Sequence, residues 1–236
     1  TTLTFAAAPP SGTNNIYVVH QAKAVGTISP AAGTVNADSF DNTVISGHTA
    51  LATRPADTDE FLVSDAGTIK RVDYSLVKHG ITEADQFRLT TAFTNDAQPI
   101  GSNLERNDTS FSKIGTGMSE SSGVFTFPST GIYLVKYNIT TILGGNGEDN
   151  KVNPLIEITT DNSSFSTAAD SQESLADHGG GTIARASQEL NIIFDVTNTS
   201  THKVRFSVLV ENTQSQTNAS STDNRTYFTF IRLGDT

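Results

Sequence analysis
The 236-residue chain contains no cysteine, so no disulfide contributes to its stability and nothing in it marks a redox compartment. Charge is also scarce, at 17% of residues, and it is biased: 15 Lys and Arg stand against 25 Asp and Glu, a formal net charge of −10. That balance repels a phosphate backbone and argues against nucleic acid as a partner. It equally disfavours electrostatic adsorption to an anionic cell surface. Contact with such a surface would need neutral hydrogen-bonding groups, stacking rings or a bridging cation. No apolar run approaches the ~20 residues that span a bilayer, so no membrane insertion is expected. The opening "TTLTFAAAPP" lacks the basic leader and apolar stretch of a signal peptide, and the start at Thr1 without Met points to processing or to a longer parent chain.

Hydrophobic residues make up only 36% of the chain, and Thr, Ser, Asn and Gly fill the gap left by charge. This is the composition of extended, turn-rich surfaces, and it points to an all-β protein. The pattern differs between two parts. Residues 1–80 hold short, interrupted pieces: "TLTF" (Thr2–Phe5) and "IYVVH" (Ile16–His20) read as strands around a Pro/Gly turn. Phe61–Val63 and Thr68–Val72 read as a hairpin turning at Asp65 and Gly67, and Asp73 opens a short helix that Gly80 ends. This part shows no core of its own. It reads as small β-rich modules that need neighbours or other subunits for burial.

Residues 81–236 alternate with period two. Leu190, Ile192, Phe194 and Val196 share one face, as do Val204, Phe206, Val208 and Val210, and "TNTSTHK" between these runs predicts a hairpin with a longer loop. Tyr133, Val135, Tyr137 and Ile139 oppose Lys136 and Asn138, after a turn over Pro128–Gly131. "PLIEIT" and "TYFTFIRL" add two more strands. One apolar and one wet face per strand predicts antiparallel sheets packed face to face, a jelly roll or related sandwich of ~8–10 strands.

No local motif carries chemistry. "GTGMSE" places Glu120 where a dinucleotide fingerprint needs its third glycine, and "GGGT" lacks the Lys of a phosphate loop. The five histidines have no zinc-ligand spacing. "NGEDN", with Glu148 and Asp149, departs from the EF-hand pattern and reads as a solvated loop tip. Neither a carboxylate pair for glycoside hydrolysis nor a nucleophilic triad stands out. No catalytic residue, metal or cofactor is expected.

Two stretches carry resemblances. "ADTDEFLVSDAGTIKRVDYSLVK" (Ala56–Lys78) resembles a module of phage tail fibres and other virion structural proteins, as do the preceding "PPSG" and "GTV" blocks. Phe87–Gly234 resembles the jelly roll of complement globular heads and tumour-necrosis-factor-like domains. Phe127, Gly131 and Tyr133 stand one residue tighter than that family's Phe…Gly-x-Tyr pattern, and "YFTFIRLG" matches its aromatic last strand. The resemblances imply a homotrimeric virion fibre, located on the particle surface. Its partners would be other tail proteins and a host glycan or outer-membrane protein. A decoration or head-fibre subunit is the alternative, and a polysaccharide-degrading tailspike or a secreted complement-type module ranks below it. The candidate contact residues lie in polar loops: Asn146, Glu148, Asp149, Asn150, Asp177, His178, Gln214, Gln216, Asn218 and Asp223. Tyr227, Phe228 and Phe230 are the candidate trimer seam.

Overall fold
A computed structural model describes residues 4, 6–8, 11–12, 43–77, 80–144, 147–176 and 182–236. The chain divides into two units, Thr1–Val77 and Lys78–Thr236. The strands expected at Thr2–Phe5 and Ile16–His20 lie outside the described residues, apart from Thr4.

In the first unit, helix α1 (Thr43–Ser46) precedes an antiparallel hairpin of β1 (Glu60–Asp65) and β2 (Thr68–Asp73), followed by α2 (Tyr74–Val77). The hairpin turns through Ala66 and Gly67, both at positive φ (49° and 81°). Such a two-residue turn twists the way paired strands do, and glycine takes its second position without strain.

The second unit contains β3 (Ala84–Leu89), β4 (Phe93–Thr94), β5 (Leu104–Arg106), β6 (Lys113–Ile114), β7 (Ser119–Ser121), β8 (Val124–Thr126) and β9 (Gly131–Leu143). Then follow β10 (Asp149–Thr159), β11 (Ser166–Asp170), β12 (Glu173–Leu175), β13 (Ala184–Val196), β14 (Lys203–Val210), β15 (Gln216–Thr217) and β16 (Tyr227–Gly234). One sheet runs β11–β10–β14–β8–β7, with β12 also on β10. The other runs β13–β9–β16–β3–β5, with β15 and β4 continuing the β16 and β3 positions and β6 on β3. The chain passes between the sheets after β6, β8, β9, β12, β13 and β14, which is a jelly-roll path. The expected hairpin of β13 with β14 does not form. β13 pairs with β9 over its full length and β14 pairs with β10 and β8, so "TNTSTHK" is a crossover between sheets. Each strand has one apolar face, and placing them in opposite sheets turns both faces into a single interior.

That interior is aromatic. Phe125 meets Phe87, Phe206 and Phe230 at ring centroid distances of 5.2, 5.5 and 5.1 Å, Phe206 stacks on Phe228 at 4.2 Å, and Phe127 meets Tyr133 at 4.7 Å. Such pairs add ~0.5–1.5 kcal/mol each beyond the area they bury. Strict alternation in β9 directs Tyr133, Val135, Tyr137 and Ile139 inward and leaves Ile132, Leu134, Lys136 and Asn138 on the outer face. At the sheet margin, Arg106 binds buried Asp85 through Nε and Nη2 at 2.9 and 3.0 Å, and the Met118 amide donates to the same carboxylate at 2.7 Å. Among the described residues, no helix is long and apolar enough to cross a membrane.

Candidate interaction face
The sheet built on β9 presents an outer face whose composition changes along the strands. Side chains on paired residues share a face, so the register reads out rows across the sheet. One row runs Ile193–Leu134–Ile231–Ala84–Ile114, through β13, β9, β16, β3 and β6. All five are apolar on the side away from the core. Ile193 is 70% exposed and Ile114 42%. Ile132 is half-buried one row further, Leu233 and Ile81 are exposed, and Ile81, Ile231 and Leu233 help line a concavity of about 550 Å³ with Arg232 and Asp235. Ile193 sits at an outward position of β13, where an isolated sheet would carry a polar residue.

The rows on the opposite side, toward Asn138, are polar. Lys136 lies 2.7 Å from Glu189, and Asn138 Nδ2 donates to the same carboxylate at 2.9 Å. These hydrogen bonds hold the Glu189 carboxyl below the usual carboxylate range. Further along, β9 changes neighbour from β16 to β15 between Asn138 and Thr141, and the intervening chain leaves the sheet. The Asn218 amide donates to the Thr140 carbonyl at 2.8 Å, and Thr226 Oγ1 accepts the Thr140 amide at 3.3 Å, so the gap keeps its hydrogen bonds. Asn138, Thr140, Ser187, Glu189, Arg225 and Tyr227 line the resulting cleft of about 210 Å³.

Of the three seam candidates, only Tyr227 faces outward. Phe228 and Phe230 are buried in the aromatic interior, where Phe228 stacks on Phe206, so neither offers a ring to a second subunit. The inward phase of β16 falls on 228 and 230, and the outward phase on Tyr227, Thr229 and Ile231. The sequence reading missed the apolar row, because its members are scattered over five strands and meet only through register. The available signal was apolar residues out of phase with the core pattern, such as Ile132 and Leu134 among the inward tyrosines.

The loop candidates separate into two places. Glu148 and Asn150 are exposed and line a concavity of about 380 Å³ with Glu211, Asn212 and Thr213, and Asn212 Nδ2 donates to the Glu148 carbonyl at 2.9 Å. Gln214 is exposed beside them, its amide donating to Asn212 Oδ1 at 2.9 Å, and Gln216 is exposed on β15. Asp223 is exposed 4.0 Å from Arg225. Asp149 and Asn218 are not free for contact. Asp149 is 1% exposed and accepts hydrogen bonds from the Lys151 amide at 3.0 Å, the Glu211 amide at 3.1 Å and the Ser215 hydroxyl, which lock the start of β10 to the chain after β14. Asn218 is buried against Arg225 and its own loop. Asn146, Asp177 and His178 lie outside the described residues. Among the described residues, no group of three or more His, Asp or Glu side chains is arranged to hold a metal ion.

No protein-family model matches the chain, and no curated protein matches it. Solved structures similar to it include murine APRIL at pH 5.0, at 10% identity and a TM-score of 0.47, covering 64% of this chain and 98% of that one. Eiger TNF from S. frugiperda is similar at 11% identity and a TM-score of 0.46, covering 66% of this chain and 96% of that one.

Proposed function
We propose that this chain is a non-enzymatic structural and attachment subunit that works as a homotrimer, with a phage tail fibre as its setting. The observation that carries the assembly is the apolar row Ile193–Leu134–Ile231–Ala84–Ile114 on the outside of a sandwich that already has a complete interior. Burying such a stripe gains ~25 cal/mol per Å², and contiguous exposed apolar surface of this kind marks an interaction site. The same face of two further copies, gathered about a shared axis, is its most economical cover. The polar rows with Lys136 and Glu189 then fix orientation more than they add affinity.

The virion setting is supported by the similarity of Ala56–Lys78 to fibre modules. In that setting the sandwich is the head, other tail proteins hold the N-terminal unit, and the host partner is a surface glycan or outer-membrane protein. The exposed Glu148, Asn150 and Gln214, beside half-buried Asn212, suit the receptor end, since loops on a rigid sandwich are where adaptable hydrogen bonding concentrates. Gold-labelled antibody against the chain tests this on whole particles. Label on projecting fibres is the expected result. Label at capsid lattice points would replace the fibre with a decoration role, and unlabelled particles would overturn the virion setting altogether.

A further inference from the structure
The first unit contains a hairpin whose apolar side chains stay exposed, Leu62 and Ile69 most of all. Among its described residues no hydrophobic side chain is buried. The register separates the hairpin's two faces. Phe61 pairs with Val72 and Val63 with Lys70 on one; Leu62 pairs with Arg71 and Ser64 with Ile69 on the other. The Phe61 face is partly shielded by Tyr74, whose ring lies 6.0 Å from that of Phe61 and has the Arg54 guanidinium 5.6 Å above it. The other face is bare, with Leu62 79% and Ile69 74% exposed. Two strands alone are marginal in water, and among the described residues no third strand pairs with either margin.

We infer that the Leu62–Ile69 face packs against the same face of other copies of this chain, with the β1 margin of one hairpin beside the β2 margin of the next. The charges select this arrangement. β1 carries Glu60 and Asp65, whereas β2 carries Lys70 and Arg71 beside Asp73. Within one hairpin these strands already attract, Arg71 lying 3.0 Å from Glu60 and Lys70 pairing with Asp65. A junction of β1 with β2 between copies repeats that match. Pairing β1 with β1 would set Glu60 and Asp65 against their own kind. The preferred junction is therefore head-to-tail, the kind that closes into a ring rather than a two-fold dimer. The inference rests on the assembly proposed above, because only residues 78–83 separate α2 from β3. Sandwiches that share an interface would hold their hairpins at the high local concentration a short tether gives.

Hydrogen exchange of the peptide spanning residues 60–73 in the full chain, run beside a mass measurement on the same sample, tests the inference. In an assembled sample the backbone amides of this peptide exchange at least tenfold more slowly than in Leu62→Ser/Ile69→Ser, while that variant keeps the assembled mass through its unaltered sandwich. Exchange at unprotected rates in an assembled wild type would overturn the hairpin inference and leave the sandwich interface standing. A monomeric wild type would overturn both. Leu134→Lys is a second variant: it should yield monomers in which the hairpin loses its protection, and protection that persists in those monomers would show that the hairpin needs no partner copy.

Discussion

The two units use hydrophobic residues in opposite ways. In residues 84–234 the aromatics face each other across two sheets, and Phe125, Tyr137, Phe206 and Phe228 are all fully buried. In the hairpin of residues 60–73, Leu62 and Ile69 face outward and no side chain is buried. Both units have an antiparallel hairpin with a positive-φ turn, Ala66–Gly67 in one and Ser122–Gly123 in the other. Local turn chemistry is thus sufficient for a hairpin but not for a core. Stability comes from a second layer, which the sandwich supplies from its own chain.

Substitutions in the two units should separate these roles, and the largest effect belongs to the interior. Phe125→Ala removes the ring that touches four others, and it is expected to cost the sandwich about 3–5 kcal/mol by denaturant unfolding. Leu62→Ala should leave that transition unchanged. Next is the Glu157 cluster on the outer side of the other sheet. Arg205 donates to Glu157 at 2.9 and 3.1 Å, its guanidinium lies 4.3 Å over Phe165, and Ser207 Oγ donates to the same carboxylate. Arg205→Ala leaves a nearly buried carboxylate without its cation; because Arg205 itself is partly exposed, the expected loss is that of charge-assisted hydrogen bonds, about 2–3 kcal/mol at neutral pH.

The pH dependence sharpens this second test. Burial alone would raise the Glu157 carboxyl, but hydrogen bonds from Arg205 and Ser207 outweigh burial and hold it below the ordinary carboxylate value. A group depressed in the folded state contributes fully above its unfolded value of about 4.3, and that contribution fades as pH falls through the folded value. Acid titration of stability should decline in that window, and Arg205→Ala should flatten the decline.

Ile193→Lys should change unfolding by under about 1 kcal/mol, since it alters an exposed side chain, while lowering the assembled mass. The smallest effect is expected at Tyr137. Its hydroxyl is fully buried with no hydrogen-bond partner, and burial pushes it well above its ordinary value. Tyr137→Phe is expected to be neutral or to stabilise by about 1 kcal/mol in thermal or denaturant unfolding.

The fold was largely legible in the sequence because period two records which face of a strand is buried. Tyr133 to Ile139, Leu190 to Val196 and Val204 to Val210 all turn the expected faces inward. Sheet membership was less legible, since alternation states that a face is buried but not against which strand. The alternation on either side of "TNTSTHK" is accordingly compatible with a hairpin loop as well as with the crossover between sheets that it makes. The candidate face was the least legible part. Phe228 and Phe230 are aromatics in an aromatic-rich strand, yet their phase places them inside. The row that matters is made of ordinary Ile and Leu residues from distant segments. Asp149, chosen for its charge in an acidic loop, proved to be a buried latch, which no local pattern separates from an exposed neighbour such as Asn150.

Sedimentation equilibrium of the full chain at micromolar concentration tests the central claim most directly. The account predicts a single species at three times the 25.0 kDa chain mass, reduced to one chain by Leu134→Lys. A wild-type protein that sediments at 25.0 kDa would contradict it, leaving the Ile193 row as bare surface on a self-sufficient sandwich.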